Sequence, residues 1–151
     1  MNNEEENNAE LSHWYVVYTY SGYENKVKAT LEKIVENRGI KDKISEVIIP
    51  MEEEIEIKDG KQKTSIKKVF PGYVLVKMIM SDETWYVVKN IKGVFNFVGV
   101  GDSVRIITEP FYNYPATIEE IIQDKKRVKV KVSMFGRETT IELGFDQIQK
   151  I

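Results

Sequence analysis

Residues 67–78 read KKVFPGYVLVKM, a Pro-Gly corner that leads into an apolar strand. Pro71 fixes its φ angle and cannot donate a backbone hydrogen bond, whereas Gly72 tolerates backbone angles that other residues avoid. The pair therefore predicts a turn or a kinked strand entry. Residues 73–80 are apolar on both faces apart from Lys77. A strand that is apolar on both sides is typical of the middle of a covered sheet.

Phe70 and Tyr73 stand at the mouth of this strand, three residues apart across the corner. Two interpretations are open on composition alone. The first is a pair of ordinary core aromatics, since such residues are usually buried. The second is an exposed aromatic platform for a partner, because Tyr and Phe are enriched at the centres of interfaces.

The segment before the corner predicts a strand, a helix and a hairpin. Residues 14–20, WYVVYTY, are aromatic and β-branched, as strands prefer. Residues 21–24, SGYE, have the form of a helix capping box, and Gly39 is a helix-ending residue. Residues 52–58 alternate, Asp59-Gly60 is a hairpin turn, and residues 61–68 are a polar return strand. The helix has one apolar stripe, made of Val27, Leu31, Ile34 and Val35.

The segment after the corner predicts a second helix and a last strand. Ser81 begins the helix, with acidic residues in its first turn. Trp85 and Val88 are expected to face inward, and residues 94–98 form the strand. From residue 100 onward the chain shows five short strand patterns without a helix in about fifty residues. Such spacing is typical of a small barrel, which removes exposed strand edges.

These patterns predict an α+β protein in three parts. Residues 1–12 are a disordered acidic tail. Residues 13–99 are an α/β sandwich, an antiparallel sheet with flanking helices. Residues 100–151 are a small β-barrel.

Composition excludes several function classes. The 151 residues carry a net charge of −2, so the chain is not a strongly basic nucleic-acid binder. It has no cysteine and one histidine, so disulfides and a structural zinc site are not expected. No apolar run has the length of a membrane span, and a cytoplasmic protein is expected.

Catalytic motifs are missing from the sequence. It contains no P-loop, no G-x-G-x-x-G after a strand and no G-x-S-x-G elbow. The Glu cluster at 52–56 is interpreted as the solvated face of a hairpin. An enzyme, a cofactor and a metal site are therefore not expected. Recognition remains, and two barrel loops carry aromatic residues for it: PFYNYP at 110–115 and MFGR at 134–137.

Four motifs, in this order, resemble the NusG family of bacterial transcription elongation factors over residues 14–151. They are WYVVYTYSGYENKV, KKVFPGYVLVKM, ETWYVVKNIKGV and MFGRETTIELGFDQIQKI. The likeness is greatest to Gram-positive members. It implies an N-terminal NGN domain, a sheet flanked by helices, followed by a C-terminal SH3-like KOW barrel.

The resemblance also implies partners and contact residues. The NGN domain would bind the β′ clamp helices of RNA polymerase through Phe70 and Tyr73, with Tyr15 beside them, and favour processive elongation. Some members also touch the non-template DNA strand, here near Asn90. The KOW barrel would recruit Rho or the ribosomal protein NusE. The matching barrel positions are Phe111, Tyr114, Ser133, Phe135 and Arg137. A monomer without a membrane partner is expected.

The sequence departs from the family pattern at its domain boundary. Family members have a flexible linker there, whereas Gly99 is followed almost at once by Gly101-Asp102. A divergent paralogue, a deliberate deletion or an omission of linker residues would each account for this. Three single positions also differ from the usual residue: Ile91, Glu109 and Ala116. Two alternative functions stay open: an operon-specific antiterminator within the family, and a ribosome-associated RNA-binding protein, which the near-neutral barrel disfavours.

Overall fold

The computed structural model describes residues 11–58, 60, 62–69 and 72–151. Residues 1–10 of the predicted tail and the predicted contact residue Phe70 lie outside the described residues. In chain order the elements are β1 (Ser12–Thr19), α1 (Glu24–Arg38), β2 (Ile44–Ile48), β3 (Met51–Lys58), β4 (Gln62–Val69), β5 (Tyr73–Ile79), α2 (Asp82–Lys89), β6 (Val94–Gly99), β7 (Ser103–Ile106), β8 (Pro115–Ile122), β9 (Arg127–Met134), β10 (Arg137–Gly144), a 3-10 turn (Phe145–Gln147) and β11 (Ile148–Lys150).

The N-terminal sheet is antiparallel, with the strand order β2-β5-β1-β6. The apolar strand after the Pro-Gly corner, β5, lies inside it, and its first four residues are buried. The prediction of a covered central strand is confirmed. Because Ser12 already belongs to β1, the boundary predicted for the tail lies one residue too far along the chain.

Helix α1 covers one face of this sheet. Val27, Leu31 and Val35 are buried and share a core with residues of β1 and β5, as their spacing predicts. Gly39 ends the helix with φ = 64°, a left-handed conformation that glycine adopts without strain. The predicted capping box is wrong, because the N-cap is Tyr23 and no side chain caps the helix. The Glu24 carboxylate bonds elsewhere, as described below.

Helix α2 begins at Ser81, as predicted, with a capping box that Ser81 and Thr84 form together. Val88 is fully buried, but the inward orientation predicted for Trp85 is wrong. The Trp85 side chain remains 45% exposed, because it lies against Phe97 with ring centroids 6.5 Å apart, toward the edge strand β6. Val87 takes the second buried position instead.

The predicted hairpin is confirmed as a separate two-stranded sheet of β3 and β4. Gly60 has φ = 71° in its turn. Two isoleucines on β3, Ile55 and Ile57, are more than half exposed.

The C-terminal strands form one antiparallel sheet with the order β10-β9-β8-β7-β11. Every strand contributes to one buried cluster, so the sheet encloses an apolar core as a small barrel does. Ala116 is buried there opposite Val104 and Val132. The methyl group at this unusual position therefore fits inside the core.

A short turn joins the two units. Strand β6 ends at Gly99 and β7 begins at Ser103. The Asp102 carboxylate accepts a bond from the Gly99 N–H at 2.7 Å, and Gly101 N–H donates to the Ile118 carbonyl at 2.8 Å. The connection is thus bonded to the sheet on one side and to the barrel on the other. None of the helices within the described residues has the length and apolar character needed to cross a membrane.

Candidate docking surfaces

The sheet face opposite α1 carries a row of aromatic side chains. Tyr18 and Tyr73 are paired across β1 and β5, with ring centroids 5.4 Å apart. Phe95 lies 5.9 Å from Tyr18 and 5.4 Å from Tyr20. We call this surface the aromatic face: its buried part is Val16, Tyr18, Tyr73 and Leu75, and its exposed edge is Tyr20 and Phe95.

A buried carboxylate holds the corner that leads into the aromatic face. Glu24 is 5% exposed, and its Oε1 accepts a bond from the Gly72 N–H at 3.0 Å. Its Oε2 accepts from the Gly22 N–H at 2.9 Å. Gly72 has φ = 88°, and its carbonyl accepts from Thr19 N–H at 2.9 Å. The start of α1 and the end of β1 therefore fix the position of Tyr73.

The hydrogen bonds at Glu24 also change its acidity. Burial by itself raises the pKa of this carboxyl, but backbone N–H groups of Gly72, Glu24 and Gly22 stabilise the charged form, and the net pKa is lowered. The carboxylate is consequently charged at neutral pH, as its role of double acceptor requires.

The structure does not bring Tyr15 together with Tyr73. Tyr15 is paired with Val76, and both belong to the face that α1 covers, whereas Tyr73 belongs to the opposite face. The Tyr15 ring packs on Phe97 at 6.2 Å. It also closely approaches Gly99, where an added Cβ would lie 2.3 Å from a ring carbon. The prediction that Tyr15 lies beside Tyr73 is therefore wrong, because neighbouring strand residues alternate between faces.

The barrel covers the buried part of the aromatic face. The Tyr73 ring lies 5.6 Å from the ring of Phe145, and the Tyr18 hydroxyl donates to the Phe145 carbonyl at 3.2 Å. Tyr18 and Tyr73 are each 8% exposed as a result. Tyr73 is thus buried, as the first interpretation predicts, and the barrel contributes to that burial; the role of Tyr73 in binding a partner stays a prediction.

Burial beside the barrel raises the pKa of both tyrosines. For Tyr73 the value rises to about 12, first through burial and then through the nearby Asp146 carboxylate. For Tyr18 burial is again the main cause, followed by Tyr73 and Asp146. Both side chains are neutral at physiological pH, as a close apolar contact needs.

Two lysines add polar links between the units. The Lys150 ammonium donates to the Phe97 carbonyl at 3.1 Å and lies 5.4 Å from the centre of the Phe97 ring. The Lys126 ammonium donates to the Met51 carbonyl. The barrel therefore contacts β6 and the start of β3 as well as the aromatic face.

The predicted barrel contact residues lie on the loop before β8, on the end of β9 and on the β9–β10 hairpin. Ala116 is paired with Val132, so the loop before β8 runs beside the end of β9. This register places Phe111 and Tyr114 near the β9–β10 hairpin. We call this surface the barrel tip: Phe111, Tyr114, Ser133, Phe135 and Arg137.

Phe135 is the most exposed large apolar side chain among the described residues, at 93%. It occupies a two-residue turn with φ = 52°, and Gly136 follows with φ = 74°. A bulky residue rarely adopts a positive φ, because its Cβ crowds the backbone. Exposure and strain together are unfavourable for the isolated chain and are typical of a binding residue.

Asn90 ends α2 on a different surface. Its amide Nδ2 donates to the Tyr86 carbonyl at 2.7 Å, and it borders a shallow groove with Arg38 and Lys92. Ile91, which stands in the place of the usual threonine, is buried. No group of three or more His, Cys, Asp or Glu side chains that could hold a metal ion occurs in the part of the chain that the structure describes.

Comparison with known proteins identifies the family. The family model described as "Transcription termination factor nusG" matches residues 12–113, which is more than half of the chain. The chain belongs to the NusG family.

Curated NusG proteins match over nearly their whole length. The transcription termination/antitermination protein NusG of Bacillus subtilis is 48% identical over 173 residues, covering 91% of this chain and 98% of the relative. That of Halalkalibacterium halodurans is 47% identical over 174 residues, with the same coverage. This chain is therefore a NusG-family transcription factor of the Gram-positive type that its motifs indicate.

The alignments are longer than the chain. Since 91% of 151 residues is about 137, about 36 of the 173 aligned positions have no residue of this chain opposite them. Among solved structures, "Domain interaction in Thermotoga maritima NusG" is similar, at 33% identity and a TM-score of 0.46. The match covers 95% of this chain and 99% of the Thermotoga maritima chain.

Three residues of the sites were not predicted: Tyr20, Phe95 and Glu24. Tyr20 follows Tyr18 at a spacing of two, so strand alternation could have placed it on the same face. Phe95 joins them through the pairing of β6 with β1, which the sequence does not specify. The sequence pattern assigned Glu24 to a local helix cap. Its bond to Gly72 joins residues 48 apart in the chain, and no local pattern indicates such a bond.

Proposed function

We propose that this NusG-family protein docks on the β′ clamp helices of RNA polymerase through the aromatic face, and recruits Rho or NusE through the barrel tip. Docking there would favour processive elongation and modulate pausing. The observation that carries this proposal is the separation of two aromatic surfaces on two domains. Each is built around large aromatic side chains, which dominate the binding energy of interfaces.

The aromatic face suits a helical partner. Its centre is apolar, and its edge residues Tyr20 and Phe95 are 59% and 43% exposed. A pair of helices with apolar side chains would bury those rings, while the tyrosine hydroxyl stays at the rim. Glu24 and Gly72 hold the strand entry rigidly, which lowers the ordering cost of binding.

A second candidate is the operon-specific antiterminator. It is favoured by the missing 36 aligned positions and by the buried Ile91, which cannot offer the threonine hydroxyl at that position. A ribosomal RNA-binding role has less support. The lysines of β9 face glutamates, with Lys131 3.3 Å from Glu119 and 3.5 Å from Glu138, so they present little free positive charge.

The test is a pull-down with core RNA polymerase, without DNA, in the presence and absence of the β′ clamp helices. Retention should depend on those helices. Tyr20→Ala should weaken retention, whereas Tyr86→Ala is a matched control because Tyr86 is 60% exposed on α2. Equal retention without the clamp helices, or an equal effect of both variants, would contradict the proposed docking surface.

A further inference from the structure

Helix α1 is flanked by two grooves of opposite charge. The charged side chains of the groove toward α2, described above at Asn90, are the basic Arg38 and Lys92. The groove toward β2 is larger, with a volume of about 420 Å³ against about 180 Å³. We call it the edge groove, and the residues that define it are Glu32, Val35, Glu36, Lys41, Ile44 and Val47. With two glutamates and one lysine the edge groove has a net negative charge, which disfavours nucleic acid as its ligand.

The floor of the edge groove is apolar. Val35 of α1 and Ile44 of β2 are buried, and Val47 of β2 is half-buried against the same core. The volume of the groove lies within the range of about 300–1,000 Å³ that is usual for ligand sites. Such a floor can bury the aliphatic stems of long cationic side chains, whose charged ends remain at the rim.

Strand β2 offers a sheet edge beside this floor. It lies at the end of the N-terminal sheet, with β5 as its neighbour on one side. Within the described residues no strand pairs with its other side, and no loop forms a backbone hydrogen bond to residues 45–48. The outward N–H and C=O groups of such an edge can pair with an added extended peptide. Recognition of this kind takes its affinity from main-chain bonds and its specificity from alternate side chains.

Glu32 and Glu36 determine which charge the edge groove prefers. Both are exposed, and in the part of the chain that the structure describes neither carboxylate has an ion pair or a hydrogen bond. They are four residues apart on one helix face, where like charges repel. Their Cβ separation of about 5–6 Å is close to the spacing of about 6.6 Å between alternate residues of a strand. Two cationic side chains at alternate positions of a peptide therefore match them.

The barrel contains a strand with this chemistry. Strand β9 alternates base with valine over residues 127–132, and its valines are buried. The Lys131 ammonium lies 3.3 Å from the Glu119 carboxylate on β8 and 3.5 Å from the Glu138 carboxylate on β10. A strand with base on one face and valine on the other thus pairs well beside glutamates in this same molecule.

We propose that the edge groove binds an extended, cationic segment of a partner protein, which adds a strand to the outer edge of β2. Lysine or arginine side chains at alternate positions lay their aliphatic stems over Val35 and Val47. Their charged groups reach Glu32 and Glu36. The apolar residues between them face the other side of the sheet, beside the half-buried Ile48. The edge groove lies on the side of the sheet that α1 covers, so it is separate from the aromatic face and from the barrel tip.

The probe is a blocked, fluorescein-labelled peptide with the sequence of residues 127–132, RVKVKV, titrated into the full-length chain at low salt. Fluorescence anisotropy measures its affinity, and ¹⁵N NMR spectra locate its site. Two further peptides replace the bases with glutamate or the central valine with proline, which cannot donate a main-chain bond. The double variant Glu32→Gln/Glu36→Gln removes the groove carboxylates. Its matched control, Glu109→Gln/Asp124→Asn, removes two exposed charges from barrel loops.

The cationic peptide is expected to bind and to shift the NMR signals of residues 32–36 and 44–48. Glu32→Gln/Glu36→Gln should weaken its binding at least about fivefold, as for two exposed ion pairs, and the control variant should change it less than about twofold. The glutamate and proline peptides should bind at least about fivefold more weakly than the cationic peptide.

No binding of the cationic peptide at millimolar concentration would overturn the proposed site. Equal binding to the two double variants, equal binding of the proline peptide, or signal shifts confined to the aromatic face or the barrel would also overturn it. Larger shifts of the groove signals with a single-stranded DNA oligonucleotide would assign the groove to nucleic acid instead. Because polymerase, Rho and NusE take no part in these titrations, every outcome is independent of the proposed function.

Discussion

At the scale of single residues, two positions show how the chain prepares its surfaces. Glu24 is a buried charge whose two oxygens accept backbone N–H bonds from two loops, so it fixes the corner before Tyr73. Phe135 is the opposite case, an exposed ring on a strained turn. Glu24 stabilises the isolated fold, whereas the Phe135 ring has no ring partner among the residues that the structure describes.

Glu24→Ala should lower the free energy of unfolding by about 1–3 kcal/mol, since it leaves the partly buried N–H donors of Gly22 and Gly72 without this acceptor. Glu24→Gln should lower the free energy of unfolding by less than Glu24→Ala does, and it should change how that free energy depends on acid pH. The native pKa of Glu24 lies below its ordinary value of 4.5, so its charge stabilises the fold above pH 4.5, and that contribution is lost as pH falls through the native pKa.

Urea unfolding from pH 7 to pH 3 measures this effect. The stability difference between the unmodified chain and Glu24→Gln should shrink below pH 4.5. Glu32→Gln, an exposed change on the same helix, serves as the control and should show no such trend. A stability difference between the unmodified chain and Glu24→Gln that is the same at all pH values would contradict a lowered native pKa for Glu24.

Phe135→Ala should leave the unfolding free energy within about 0.5 kcal/mol, because the ring is almost wholly exposed. Binding of Rho or NusE should fall by about 2 kcal/mol or more, which is roughly 30-fold, as for a central interface residue. Arg137→Ala should act in the same direction. Titration calorimetry with each partner measures the change, and Ile55→Ala on the other domain is the control. A matching loss of polymerase affinity would refute separate docking surfaces.

At the scale of elements, local patterns predict the strands and helices well. Alternation and the 3.6-residue stripe identify β1, β5 and α1 because each buries one side against a neighbour. They fail where a distant residue competes for a side chain. Glu24 bonds Gly72 rather than capping its helix, Tyr15 lies on the helix-covered face, and the Trp85 ring packs against the edge strand β6. None of these outcomes is encoded within a few residues.

The junction between β5 and α2 offers a test at this scale. The Thr84 hydroxyl donates to the Ile79 carbonyl at 2.6 Å and accepts from the Ser81 N–H at 2.9 Å. Thr84→Val keeps the shape and removes both bonds, so it should lower the unfolding free energy by about 1–3 kcal/mol. Thr84→Ser keeps the hydroxyl and should cost about 1 kcal/mol, for the lost methyl group. Thermal and urea unfolding compare them, and an equal loss in both would show that the hydrogen bonds contribute nothing.

At the scale of the whole molecule, the contact between barrel and sheet is the feature that the sequence did not reveal. The barrel strands and the sheet strands have similar apolar patterns. A local pattern therefore does not show whether an apolar side chain is buried inside its own domain or in the contact between the two domains. The absent linker predicts only that the barrel stays close. The face on which it packs depends on Phe145, which meets Tyr18 and Tyr73 over more than 70 residues of sequence separation.

Alkaline pH should weaken this contact. The pKa of Tyr73 is raised to about 12 and that of Tyr18 is also raised, so neutral rings stabilise the contact between barrel and sheet below pH 10, and this contribution is lost as pH rises through the native pKa values. Trp14 emission in the Trp85→Phe variant should shift to the red above pH 10. A variant with a long Gly/Ser segment inserted between Val100 and Gly101 should show no comparable step; a step of equal size there would contradict an origin in the domain contact.

The most direct test of the account is the rotational motion of the two domains, measured by ¹⁵N NMR relaxation on the unmodified chain. The account predicts one common tumbling time for residues 12–99 and 103–151, because the barrel is packed on the aromatic face and the connection is bonded to both units. Two clearly different tumbling times, each matching a free domain, would contradict it.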